Sequence, residues 1–131
     1  MEDLNKTTNA TIKIDSEKKR KLIRKCLRVM EEFKKLDPEM PLQQMITLIE
    51  VALATEEGIT VSDLAVRVGN SQSSASRHVA ILGDYGRRNT PALQVVKATV
   101  NPMDRRSQTV KLTPKGQRVI DQLVEVLAKE V

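Results

Sequence analysis

Seven residues within ten positions carry side chains suited to a base-pair edge: Ser71, Gln72, Ser73, Ser74, Ser76, Arg77 and Ala80. Hydroxyls and an amide donate or accept hydrogen bonds. A guanidinium pairs bidentately with guanine or clamps a phosphate, and an alanine methyl can meet a thymine methyl. At about 100° per residue, Ala75, Val79 and Leu82 fall on one side of a helix, and Ser73 and Arg77 point almost opposite. Small hydroxyl side chains let such a helix sit close to the floor of a major groove. Ser71 and Gln72 open it, where free backbone N–H groups can hold phosphates. A polar-faced surface helix without a ligand has the same composition, so the segment needs support from the rest of the chain.

A second cluster supplies that support. Asp104, Arg105 and Arg106 fall in a turn-forming tip at 101–106, between two strand candidates at 93–100 and 107–112 that are rich in β-branched residues. Guanidinium groups on a hairpin tip suit a narrow minor groove, where negative potential concentrates. The alternative is a solvated turn with an Asp–Arg surface pair worth little. Arg87 and Arg88, in a loop at 83–92, add further positive charge. The whole chain of 131 residues carries +5, yet residues 60–118 hold ten Lys/Arg against three acids. Basic charge is therefore concentrated where the motifs lie, which favours a polyanionic partner. Phe33 and Tyr85 are the only aromatic residues. Single-strand and RNA modules use aromatic platforms, so duplex is the better fit.

These residues need a scaffold, and the periodicities predict one. Residues 1–15 have no period and read as a flexible segment. A helix at 16–36 carries an apolar stripe of Leu22, Ile23, Cys26, Leu27, Met30, Phe33 and Leu36, opposite a basic cluster at 18–28 that is either a solvated face or a contact to DNA flanks. Asp37-Pro38 stops it. Pro41 suits the first turn of a second helix reaching Ala54, with Leu42, Met45, Ile46, Ile49, Ala52 and Leu53 apolar. Its near lack of charge makes it the buried central helix. Thr60 caps a short third helix with Val61, Leu64, Ala65 and Val68 inward, and Gly69 closes it with a left-handed turn. A fourth helix covers 72–82. After the hairpin, Thr113-Pro114 caps a last helix at 114–129, with Val119, Ile120, Leu123, Val124 and Leu127 on one face. The expected class is mainly α with a small β-hairpin, a winged helix-turn-helix flanked by N- and C-terminal dimerisation helices, all in one domain over 16–131. Two apolar stripes that a three-helix core would leave uncovered imply a homodimer.

Residues 101–116, NPMDRRSQTVKLTPKG, resemble the wing and following helix start of MarR-type regulators, whose pattern is roughly D-x-R-x-x-x-V-x-L-T-x-x-G. Asp104, Arg106, Val110, Leu112, Thr113 and Gly116 match it, and the LA…G…S…SR spacing of 64–77 fits the same family. The resemblance spans about residues 18–131. It implies a homodimer clasped by the terminal helices, recognition helices in successive major grooves of a near-palindrome, and Arg106 in the minor groove, oriented by Asp104. The loop at 86–92 is longer than usual, and the chain stops where such regulators often add another helix. Residues 76–82 are also similar to ArsR-type metal sensors, which need Cys/His ligands that this chain lacks.

Cys26 is the single cysteine and His78 the single histidine, which excludes an intramolecular disulfide and makes a zinc site a poor fit. Cys26 reads as a buried interface thiol, with an oxidant-sensing thiol as the rival. His78 lies beside the inward face of its helix and suits a structural hydrogen bond or a phosphate contact. No catalytic constellation or phosphate loop is visible, so no enzyme activity, cofactor or metal is expected. The chain lacks an apolar run of bilayer length, and its start lacks a signal-peptide core, so a cytoplasmic, nucleoid-associated protein is expected. The sequence reading is a transcriptional regulator, expected to be a repressor, with double-stranded DNA and a second copy of itself as partners and a small-molecule effector left open. The rival is an architectural or protein-interaction winged helix with little sequence preference.

Overall fold

The computed structural model describes residues 13–87 and 89–129, and Arg88 lies outside them. Its elements are α1 (Ser16–Leu36), α2 (Leu42–Leu53), β1 (Ile59–Thr60), α3 (Val61–Val68), α4 (Gln72–Leu82), β2 (Val96–Asn101), β3 (Asp104–Leu112) and α5 (Pro114–Ala128).

Short polar residues set the helix starts. The Asp15 carboxylate accepts the Lys18 N–H at 2.7 Å, Thr60 Oγ1 accepts the Asp63 N–H at 3.1 Å, and Ser71 Oγ accepts the Ser74 N–H at 3.2 Å. Gly69 ends α3 in the left-handed region at φ 77°, and the N–H groups of Gly69 and Asn70 both return to the Ala65 carbonyl. That closure aims α4 across α3. Leu64, Ala65, Ala75, Val79 and Leu82 meet in the core beneath the turn, joined by Leu48, Val95 and Val110.

The sheet is three-stranded and antiparallel, in the order β1-β3-β2. The sequence pattern predicts only the hairpin. β1 adds Ile59↔Val110 and Thr60↔Thr109, a pairing of two residues that ties the start of α3 to the base of the wing. The hairpin also starts later and turns more tightly than expected. Asn101 pairs with Asp104, so Pro102 and Met103 alone form the loop, and Arg105 and Arg106 belong to β3 instead of the tip.

Two helices differ from the expectation. Pro41 is the N-cap of α2, not its first helical residue. α2 is also not buried all round: it turns Gln44, Thr47, Leu48 and Val51 inward and leaves Leu42, Ile49 and Leu53 exposed. In α1, Phe33 and Lys25 are buried, whereas Ile23, Cys26, Leu27 and Met30 are exposed on the chain. The Lys25 ammonium explains its own burial. It donates to the carbonyls of Leu127 and Lys129, which have no partner inside α5, and so fastens α1 to the end of α5. In α5, Leu123 and Val126 face the core, Val119 and Ile120 are half-buried, and Val124 and Leu127 are exposed. Among the described residues no helix is long and apolar enough to cross a membrane.

Candidate nucleic-acid interface

The cap of α4 organises the first hydroxyl group of residues. Ser71 Oγ lies 3.2 Å from Ser73 Oγ and donates to Ser74 Oγ at 3.0 Å. With Ser71, Gln72 and Ser73 exposed, this end of the helix presents a hydroxyl surface beside free backbone N–H groups. Ser76 and Arg77 are exposed one turn further on, and Ala80 is half-buried.

The register of the wing slips near its tip. Val100 pairs with Gln108 and Asn101 with Asp104, so β3 has three residues, Arg105, Arg106 and Ser107, with none opposite them. A bulge of this kind bends the strand and re-aims its side chains. Here it turns the arginines to the α4 side. Gln72, Ser76, Arg105 and Arg106 line one shallow groove, together with Thr60, Ser62 and Gln108. Four residues singled out from sequence, from two segments about thirty positions apart, thus share a surface. Asp104 acts differently from the expectation. Its carboxylate accepts the backbone N–H of Arg106 at 3.1 Å and makes no ion pair with the guanidinium, so it fixes the bulge and not the side chain.

The remaining candidates separate. Ser76 and Ala80 line a second groove, between α4 and β2, with Tyr85, Lys97 and Gln108. Tyr85, Lys97, Gln108 and Ser62 were not singled out from sequence. They lie in the loop after α4, in the two wing strands and in the first turn of α3, and the fold brings them to the two grooves beside α4. Arg87 lines neither of these grooves. Its guanidinium pairs with Asp37, which is 2% exposed, and Asp37 also accepts the Glu39 N–H at 3.0 Å. This pair ties the loop after α4 to the corner between α1 and α2.

Beside α4 lies a cleft of about 740 Å³, bounded by Pro41 at the N-cap of α2, Gln44 of α2, Ser74, Arg77, His78 and Ile81 of α4, and Tyr85 to Arg87. Gln44 Oε1, His78 Nδ1 and Arg87 Nε are buried without hydrogen-bond partners, and all three residues line the cleft. Burial pushes the His78 imidazole below the usual histidine range, and the neighbouring Arg77 charge adds to that. Among the described residues no cluster of His, Cys, Asp or Glu could hold a metal ion.

No protein-family model matches the chain, and no curated protein matches it in sequence. Solved structures do match. MepR of S. aureus in complex with DNA superposes with a TM-score of 0.63 at 16% identity, over 83% of this chain and 77% of that one. The PcaV transcriptional regulator of Streptomyces coelicolor gives 0.54 at 22% identity, over 83% and 74%. CouR, a transcriptional repressor bound to a 23-mer DNA duplex, gives 0.54 at 23% identity, over 82% and 70%. The solved structures it resembles are MarR-family winged-helix regulators, and this chain has their fold.

Proposed function

We propose that the protein is a homodimeric transcriptional repressor that binds duplex DNA at a near-palindromic site. The observation that carries this reading is the shared groove of Gln72, Ser76, Arg105 and Arg106, flanked by the exposed hydroxyls of Ser71 and Ser73 and by Arg77. A helix with small polar side chains enters a major groove, and a wing of two exposed arginines reaches the adjacent minor groove from the same face. Arg77 reads guanine edges, and Arg106 prefers the narrow groove of A·T-rich flanks. Ser74 and Ala80 contribute contacts along α4. The DNA-bound state of MepR and CouR supports the same reading.

The dimer follows from what the monomer leaves uncovered. Ile23, Leu27 and Met30 of α1 and Val124 and Leu127 of α5 are each about half exposed, on two helices that pack together. A second copy would cover them, and Cys26 with them. The cleft beside α4 is where we place an effector, because three buried polar atoms there lack partners and because it touches the recognition helix directly. BpsR of Bordetella bronchiseptica, another structure of this fold, is described as regulated by 6-hydroxynicotinic acid.

The test is duplex binding by two variants. Arg77→Ala is expected to lose discrimination between an enriched site and random duplex. Arg106→Ala is expected to weaken binding and reduce the preference for A·T-rich flanks. Unchanged affinity in both variants would remove the docking geometry.

A further inference from the structure

The wing tip holds a residue that the recognition scheme above leaves unused. Met103 is the most exposed large apolar residue among those described, at 93%. Singly exposed apolar side chains are common and need no explanation by themselves. Three features set this one apart. It stands at the outermost point of the element that carries Arg105 and Arg106. It follows Pro102 in a loop of only two residues, so the tip itself is apolar on both positions. Its backbone is also held: the Met103 N–H donates to Asn101 Oδ1 at 2.9 Å, and the Arg106 N–H donates to Asp104 Oδ1 on the other side of the turn.

The turn type follows from these residues. Two-residue hairpin loops normally need positive φ at one or both positions. Neither Pro102 nor Met103 has it, and the proline ring forbids it at the first. The loop is instead an Asn-Pro turn closed by the Asn101 side chain. Its mismatch with the strand twist is absorbed by the three extra residues of β3. The same slip that re-aims the arginines therefore pushes Met103 forward as the leading side chain.

We propose that Met103 is an apolar wedge that enters the minor groove ahead of the arginines and opens a base-pair step, bending the DNA toward the major groove. The proposal rests on the duplex-binding reading above. Methionine and proline are among the side chains that minor-groove proteins insert between steps. The thioether chain is unbranched and adapts to an irregular gap. A turn already fixed by side-chain bonds loses little freedom on docking. The wedge makes the step beneath the tip a specificity determinant without a hydrogen bond, since pyrimidine–purine steps unstack most easily.

The experiment uses the full chain and a duplex enriched from a random pool by the wild-type protein. The duplex carries end dyes to report bending and 2-aminopurine at the steps under the wing. Wild type and Met103→Leu are expected to bend it and raise the 2-aminopurine fluorescence. Met103→Ser is expected to lose both signals and about tenfold in affinity. Its salt dependence should stay as in wild type, because no cation is lost. A Met103→Ser protein that bends the duplex and brightens 2-aminopurine like wild type overturns the wedge alone. A straight duplex under the wild-type protein does the same. Failure to retain any duplex, even at low salt, removes the DNA-binding reading and the wedge with it.

Discussion

Gly116 occupies the third position of α5, where intrinsic helix propensity and local packing point in opposite directions. Replacing it with alanine should gain about 1 kcal/mol from helix propensity alone. The structure leaves no room for the methyl. A Cβ at Gly116 would lie 1.9 Å from the Val95 carbonyl oxygen, 2.9 Å from its carbon and 3.3 Å from a Leu112 methyl. The oxygen cannot yield easily, because the Val95 carbonyl accepts the Thr113 N–H at 3.1 Å and its own N–H donates to Leu82 at 2.9 Å. Thr113 Oγ1 in turn donates to the Gln94 carbonyl at 2.6 Å and accepts the Gly116 N–H at 3.0 Å. The start of α5 would have to move off the wing base by about 1 Å, at the upper end of the roughly 1–3 kcal/mol that overpacking costs. Steric crowding wins, and Gly116→Ala should be destabilised by about 2 kcal/mol, or roughly 8 °C in Tm for a chain of this size. Urea and thermal unfolding followed by circular dichroism measure it. Gly69→Ala is the companion variant, because nothing lies within 4 Å of a Cβ there and only the φ of 77° opposes the change, at about 1 kcal/mol. A Gly116→Ala protein as stable as wild type, or more so, would refute the argument that the glycine of the wing signature is kept by the close approach of Val95.

Three further outcomes follow from buried polar groups. Lys25→Met keeps the packed stem but removes the ammonium from the Leu127 and Lys129 carbonyls; it should cost about 1–2 kcal/mol, and hydrogen exchange should show the loss first in the last turn of α5. Asp37→Asn leaves the half-buried Arg87 guanidinium without its counter-charge; a loss of about 2 kcal/mol in urea denaturation is expected, with faster proteolysis of the loop after α4. His78 has its folded pKa depressed by burial and by Arg77, so its contribution to stability is present above the unfolded value of about 6.5 and is lost as pH falls through that value toward the lower folded one. Between pH 7.5 and 5.5 the Tm of wild type should therefore fall further than that of His78→Gln; equal falls would show that the imidazole is not the group responsible.

Much of this architecture was legible because single residues punctuate it. Thr60, Gly69, Ser71 and Thr113-Pro114 mark helix ends through hydrogen bonds that only such residues make, and the structure has each of them at its cap. Ala75, Val79 and Leu82 are buried as their spacing requires. What escaped depended on partners distant in sequence. β1 is two residues long and exists only because β3 lies beside it. α2 has apolar residues on more than one side, so the stripe of Leu42, Met45, Ile46, Ile49, Ala52 and Leu53 does not mark its inner face, which includes Gln44 and Thr47. Lys25 reads as one more cation of a basic cluster that is either a solvated face or a contact to DNA flanks, because the two carbonyls it meets lie at the distant end of α5. Arg87 read as a free cation of the loop because Asp37 is fifty residues away. At the candidate interface the residue types were readable. The bulge that turns Arg105 and Arg106 toward α4 was not, since it arises from the tight Pro102-Met103 loop and the register of the whole hairpin.

Selection of bound duplexes from a random library tests the central claim most directly, because one measurement reports both sequence preference and subunit geometry. Two recognition helices related by a twofold axis should enrich a near-palindrome with half-sites about one helical turn, roughly 10 bp, apart. A·T-rich sequence should flank each half-site where the wings dock. Equal affinity for the selected pool and for random duplex, at a salt concentration where binding is measurable, would contradict the regulator reading. It would leave a winged helix that binds DNA by charge alone.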